Sequence, residues 1–125
     1  MRESQIKQQM VRDIRKEGGY ARRIEDRFSV GMPDTVLIPK ECVVVWAEVK
    51  IVTGNTLRVS DRQYIELRRL RVAPHSTSFM VGWKEGEFYI APPNKDGVKL
   101  EDCMKQHLAE TFSDFIRRAV SHAAI

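Results

Sequence analysis

The chain has 125 residues, 42% hydrophobic and 30% charged, which suits one compact domain and excludes an intrinsically disordered segment. Its formal charge of +4 and sequence pI near 9.3 favour a polyanionic partner only weakly. The N-terminal stretch lacks the apolar run of a signal peptide, no segment reaches transmembrane length, and Cys42, Cys103, His75, His107 and His122 lack zinc-ligand spacing. The expectation is a soluble cytoplasmic protein with two reduced thiols and no membrane partner.

Ile6, Met10 and Ile14 recur every fourth residue, with Lys7, Arg12, Arg15 and Lys16 elsewhere around the turn, which predicts an amphipathic helix over about residues 3–17. Gly18 and Gly19 end it, one of them as a left-handed cap. Tyr20, Arg22, Ile24, Asp26 and Phe28 then share one face of a predicted strand, and Arg23, Glu25 and Arg27 the other. Residues 29–33 form a turn into a second strand, Asp34 to Ile38. Val43 to Ile51 is rich in β-branched residues and apolar over most of its length, so it is expected at the centre of a sheet. After a loop at Gly54-Asn55, Ser60-Asp61-Arg62-Gln63 opens a second helix that runs to about Val72, before Pro74. Phe79–Trp83 and Glu87–Ala91 flank Gly86 as a hairpin. Beyond Pro92-Pro93, the spacing of Met104, Leu108, Phe112 and Phe115, with Ala119 nearby, predicts a last amphipathic helix. The order α-β-β-β-α-β-β-α indicates an α/β or α+β layer fold.

Within the central strand Glu48 and Lys50 point to one face, while Val45, Ala47, Val49 and Ile51 point to the other. Charge set into so apolar a strand needs compensation, either as a simple structural pair or as part of a site. Asp34 begins the preceding strand after Gly31-Met32-Pro33, where it is either a turn cap or a partner of Glu48. An antiparallel pairing of these strands lets the two carboxylates converge, as they do around Mg²⁺, with Lys50 beside them to orient and help deprotonate the attacking water and to stabilise the charge growing on the phosphorus oxygens. Gln63 completes a capping box with Ser60 or turns towards the sheet on the face of Leu67 and Leu70. Glu3 is either a partner of the helix dipole or an addition to the metal shell from the first helix.

Gly31-Met32-Pro33-Asp34, thirteen intervening residues and Glu48-Val49-Lys50 together resemble the PD-(D/E)XK nuclease motif. With Glu3 and Ser60-x-x-Gln63, the pattern is similar to the VRR-NUC branch, the virus-type replication-repair nucleases, in order and spacing over residues 1–91. The resemblance implies a restriction-endonuclease-like α/β fold, a mixed β-sheet flanked by helices. It also implies Mg²⁺ or Mn²⁺ dependence and hydrolysis of DNA phosphodiesters. Carried over, Asp34, Glu48 and the Val49 backbone carbonyl hold metal, Lys50 assists the water, and Gln63 and Glu3 support the site. Small stand-alone members tend to be phage proteins or their relatives, found in bacteria or infected hosts, and they can dimerise and act on branched DNA such as four-way junctions. Residues 92–125 lie outside the match, as a helical extension that packs on the core or forms a homodimer seam.

Lys7, Arg22, Arg23, Arg58, Arg62 and Arg69 are candidate phosphate contacts, with Arg68 and Arg71 continuing along the second helix. Nothing in the sequence reads as a base-recognition helix, so shape recognition is expected. The leading expectation is a structure-selective endonuclease resembling a junction resolvase. The alternatives are a less selective restriction-like or end-processing nuclease, a non-catalytic DNA-binding module on the same fold, and a basic domain that matches by accident.

Overall fold

A computed structural model describes residues 1–24 and 31–123. The sequence-predicted strand positions Glu25, Asp26, Arg27 and Phe28, and the turn positions Ser29 and Val30, lie outside the described residues.

Helix α1 spans Glu3–Lys16 and buries Ile6, Met10, Val11 and Ile14. Gly18, at φ 88°, supplies the left-handed residue that ends it. Strands β1 (Tyr20–Arg23), β2 (Thr35–Ile38) and β3 (Val44–Ile51) follow as an antiparallel meander. A two-residue strand β4 (Thr56–Leu57) precedes helix α2 (Asp61–Val72), and β5 (Ser76–Lys84) returns parallel to β3. Strand β6 (Glu87–Ala91) forms a hairpin with β5, then come β7 (Val98–Lys99), a 3₁₀ turn at Leu100–Asp102, β8 (Met104–Lys105) and helix α3 (Phe112–Ala123). The main sheet has the order β1-β2-β3-β5-β6-β8, and β4 pairs with β7 in a separate ribbon. The α-β-β-β-α-β-β-α frame is thus present, with β4, β7 and β8 added to it.

The alternation of strand side chains divides the molecule into layers. Val45, Ala47 and Val49 of β3 join Phe79 and Val81 of β5 in one core, covered by α1 and by Phe112, Phe115, Ile116 and Ala119 of α3. On the opposite face Val52, Leu57, Val59, Met80 and Ala91 pack with Leu67 of α2. The Arg71 guanidinium donates to the Ser78 carbonyl and lies 4.9 Å over the Phe79 ring, fastening α2 to β5. The guanidinium that the sequence placed along a basic helix face is thus engaged with β5.

The chain after Pro93 departs from the sequence expectation. Met104 is in strand β8, paired with Ile90 of β6, and Leu108 is fully exposed in the following turn. The Gln106 N–H continues this pairing by donating to the Phe88 carbonyl, so the edge of β6 takes a segment whose spacing reads as helical. Helix α3 starts only at Phe112, after the Thr111 hydroxyl accepts a hydrogen bond from the Asp114 amide. Strand β5 also starts three residues earlier than its apolar pattern suggests, because Ser76, Thr77 and Ser78 pair with Val44, Val45 and Trp46.

The packing of α1 on β2 leaves no room at Gly19, where a Cβ would lie 2.6 Å from the Ile38 carbonyl oxygen and 2.8 Å from the Ile14 side chain. Gly19→Ala is expected to lower the unfolding free energy by about 1–3 kcal/mol. Gly54→Ala, whose added methyl meets nothing within 4 Å, is expected to change it by no more than about 1 kcal/mol. Urea denaturation of the two variants beside the parent chain checks both.

Candidate active site

Strand β2 begins at Thr35, opposite Ala47, whereas β3 runs on to Ile51. Among the described residues, β3 therefore has a register partner on its β5 side only from Glu48 onward. The amides of Val44 and Val52 bond to carbonyls of His75 and Trp83 on the β5 side. By alternation, Val49 turns its N–H and C=O towards the side that β2 has left. Asp34, just before β2, fills part of this gap, and its Oδ1 and Oδ2 accept from the Val49 amide at 3.2 and 3.4 Å. The local sequence sets this turn. Gly31 adopts φ 87°, and any Cβ there would lie 2.7 Å from the Arg62 carbonyl in the first turn of α2. Pro33 then holds the chain extended into Asp34.

The register that pairs Thr35 with Ala47 puts Asp34 opposite Glu48. Their carboxyl groups come within hydrogen-bond reach of one another. Glu48 is only 4% exposed, and burial together with the charge of Asp34 pushes its pKa from the ordinary 4.5 up to about 9. Burial also raises Asp34, against the pull of its hydrogen bonds to Glu48, Lys7 and the Val49 amide. Lys50 Nζ stands 3.9 Å from Glu48 Oε2 and remains partly exposed. Acid, acid and ammonium are thus gathered at one break in the sheet.

Lys7, expected among the phosphate contacts, instead lies inside this group. Its Nζ is 2.9 Å from Asp34 Oδ2 and 3.2 Å from Glu3 Oε1. Glu3 is thus linked to Asp34 through Lys7. The sequence carried only the Glu3–Lys7 half of this link, as a Glu-x-x-x-Lys ion-pairing spacing on one helical stripe with Met10 and Ile14. Gln63 engages its capping box: its Oε1 accepts from the Ser60 amide at 3.0 Å, while the Ser60 hydroxyl accepts from the Gln63 amide. Its helix nevertheless packs on the same face of the sheet as Glu48 and Lys50.

The other basic candidates are dispersed. Arg22 is exposed and its register places it on the face of the sheet shared with Glu48 and Lys50, whereas Arg23 is half-buried on the opposite face. Arg62 is exposed beside the Gly31 turn, and Arg69 lies 3.5 Å from Glu66. Arg58 donates to the Asp96 carbonyl near the β4–β7 ribbon.

Among the described residues, no three His, Cys, Asp or Glu side chains converge as a metal-binding group. The donors at the break are two carboxyl groups and the Val49 carbonyl directed to the same edge. Such an oxygen set fits Mg²⁺ or Mn²⁺, which take one or two carboxylates and complete their shell with water and phosphate oxygens. Burial first, and then the neighbouring Asp34, raise the pKa of Glu48, and a divalent cation beside the pair would oppose that shift.

No family model matches the chain, and no curated protein matches it. Among solved structures it is similar to Hjc, a Holliday junction resolvase from the archaeal hyperthermophile Archaeoglobus fulgidus, with a TM-score of 0.65. The likeness covers 82% of this chain and 94% of that one at 13% sequence identity. It establishes a shared fold, the mixed sheet flanked by helices. Among the described residues no helix is long and apolar enough to cross a membrane.

The shift at Glu48 fixes the sign of a pH dependence. A carboxyl whose folded pKa exceeds its unfolded value binds the extra proton in the native state, so its stabilisation is complete below about pH 4.5 and is lost as pH rises through about 9. In EDTA, the urea midpoint is expected to fall between pH 5.5 and 8.5, and Glu48→Gln is expected to flatten that slope. A midpoint that rises over this range in the parent chain would contradict the assignment.

Proposed function

We propose that the chain is a Mg²⁺- or Mn²⁺-dependent DNA endonuclease of the PD-(D/E)XK type, close to the VRR-NUC branch, which cuts branched DNA such as four-way junctions. The observation that carries this reading is the pairing of Asp34 and Glu48 where β2 leaves β3, with Lys50 two residues further along the same strand face. Asp34, Glu48 and the Val49 carbonyl would hold the metal, with Glu3 near enough to contribute through a rearrangement of Lys7. When bound, the metal supplies Lewis-acid charge to the phosphate and lowers the pKa of water. Lys50 then orients the attacking water and counters the charge that grows on the phosphate oxygens. Gln63 positions the start of α2 through its capping box, behind the Gly31 turn that aims Asp34.

The preference for branched DNA is supported by the fold shared with a Holliday junction resolvase. It is consistent with basic groups dispersed over the surface rather than set on one groove-reading helix. Arg22 and Arg62 are the best placed to touch phosphates, because Arg22 shares the face of Glu48 and Arg62 flanks the turn before Asp34. A junction-cutting nuclease acts on two opposed strands, which a homodimer with two-fold symmetry provides. We place the protein in the cytoplasm of a bacterial or phage-infected cell, where such DNA arises.

Labelled four-way junction, linear duplex and single strand incubated with Mg²⁺ or Mn²⁺, and with EDTA, test the reading. Metal-dependent cutting of the junction is expected, with Lys50→Ala slower by about 100-fold or more. Faster cutting of linear duplex would keep the nuclease and replace the junction with a general substrate. Absence of cutting by the folded protein with metal would leave a DNA-binding module.

A further inference from the structure

The carboxylates at the break already hold a cation of the protein's own. Lys7 reaches from α1 to Asp34 Oδ2 at 2.9 Å, while its i+4 partner Glu3 steadies it at 3.2 Å. A solvent-exposed i,i+4 pair is a weak and mobile contact. This one differs, because the Lys7 side chain is only 16% exposed, and its second partner lies on a different element, at 15% exposure. Lys7 stands one turn before the buried Met10 on α1, so the docking of the helix brings its ammonium to Asp34.

With every group ionised, Glu3, Asp34 and Glu48 are opposed by Lys7 and Lys50, which leaves a single net negative charge for an incoming dication. Removing the charge of Lys7 would double that net charge and free Oδ2. We infer that Lys7 is a resident counter-ion that competes with the divalent metal for Asp34 and thereby sets the metal concentration at which the site fills. The inference rests on the metal site proposed above. It adds a cost to metal entry: the ammonium must leave Oδ2, and metal and ammonium repel one another at close range in a partly buried setting.

The test is Mn²⁺ binding to the DNA-free protein, followed by the electron paramagnetic resonance signal of the free ion. The chains compared are the parent, Lys7→Met, Lys7→Gln, Lys7→Arg and Asp34→Asn, each first shown to be folded by circular dichroism. Lys7→Met keeps the aliphatic stem, and Lys7→Gln is a second uncharged variant should the first not fold. Loss of the charge is expected to tighten the Kd for Mn²⁺ by about tenfold or more. Lys7→Arg, which keeps a cation beside Asp34, is expected to bind as weakly as the parent. A merely structural Lys7 would change the melting temperature and leave the Kd where it was. An unchanged or weaker Kd in the uncharged variants, with Asp34→Asn still abolishing binding, would overturn the role of Lys7 and leave the metal site standing. Absence of Mn²⁺ binding in every folded chain would remove the metal site itself, and this inference with it.

Discussion

Two carboxyl groups within hydrogen-bond reach of each other, in a setting as buried as that of Asp34 and Glu48, cannot both carry charge unless a cation joins them. Much of the surrounding structure answers to that constraint. The pairing of β2 with β3 stops at Thr35, and beyond it Asp34 caps an amide of β3. The Gly31 turn lies against α2 so closely that no side chain fits between them. Two ammonium groups approach from different elements, Lys50 along β3 and Lys7 from α1. The buried carboxyl pair is the costly element among them, and perturbed groups gathered at one place mark a candidate functional site.

The layers explain how such a site is tolerated. Its strand is central, and Val45, Ala47 and Val49 of β3 are wholly buried under α1 and α3. That side of the sheet supplies the apolar burial that stabilises the domain. The even-numbered side can then carry Glu48 and Lys50 at the margin of the smaller core beneath α2. Asp34 stands at the rim between the two layers, which lets α1, packed on one face, reach a carboxylate that serves the other. The extra strands and α3 stay distant in role: β8 lengthens the sheet by pairing with β6, and α3 closes the larger core.

Likeness to a solved resolvase at 13% identity establishes how the chain is folded and leaves the chemistry to the site. In the proposed reading that chemistry would depend on Asp34, Glu48 and Lys50, gathered where β2 leaves β3. The arginines are arranged accordingly. Two have been drawn into structure, Arg71 onto β5 and Arg58 onto the Asp96 carbonyl, and among the described residues few are left near the break. Under the proposed function, affinity for DNA would rest on a small number of phosphate contacts and on the metal, and would be modest and sensitive to salt.

The alternation of Val45, Ala47 and Val49 with Glu48 and Lys50 was enough to place a charged pair on one face of a central strand, because a strand has a period of two whatever surrounds it. Gly31-x-Pro33-Asp34 marked the turn, since backbone restrictions at glycine and proline are local, and Ser60-x-x-Gln63 marked the start of α2 for the same reason. The sequence could not by itself say that Lys7 belongs to the site. Its helical stripe and its spacing from Glu3 were visible, but its distance from Asp34 depends on how α1 docks against β2. Nor could it give β8, because the helical spacing of Met104 and Leu108 lost to hydrogen bonds offered by the edge of β6, a partner distant in the chain. Local periodicity and backbone sterics are written residue by residue. Which edge a segment pairs with, and which carboxylate an ammonium reaches, are decided only when separate elements compete for the same space.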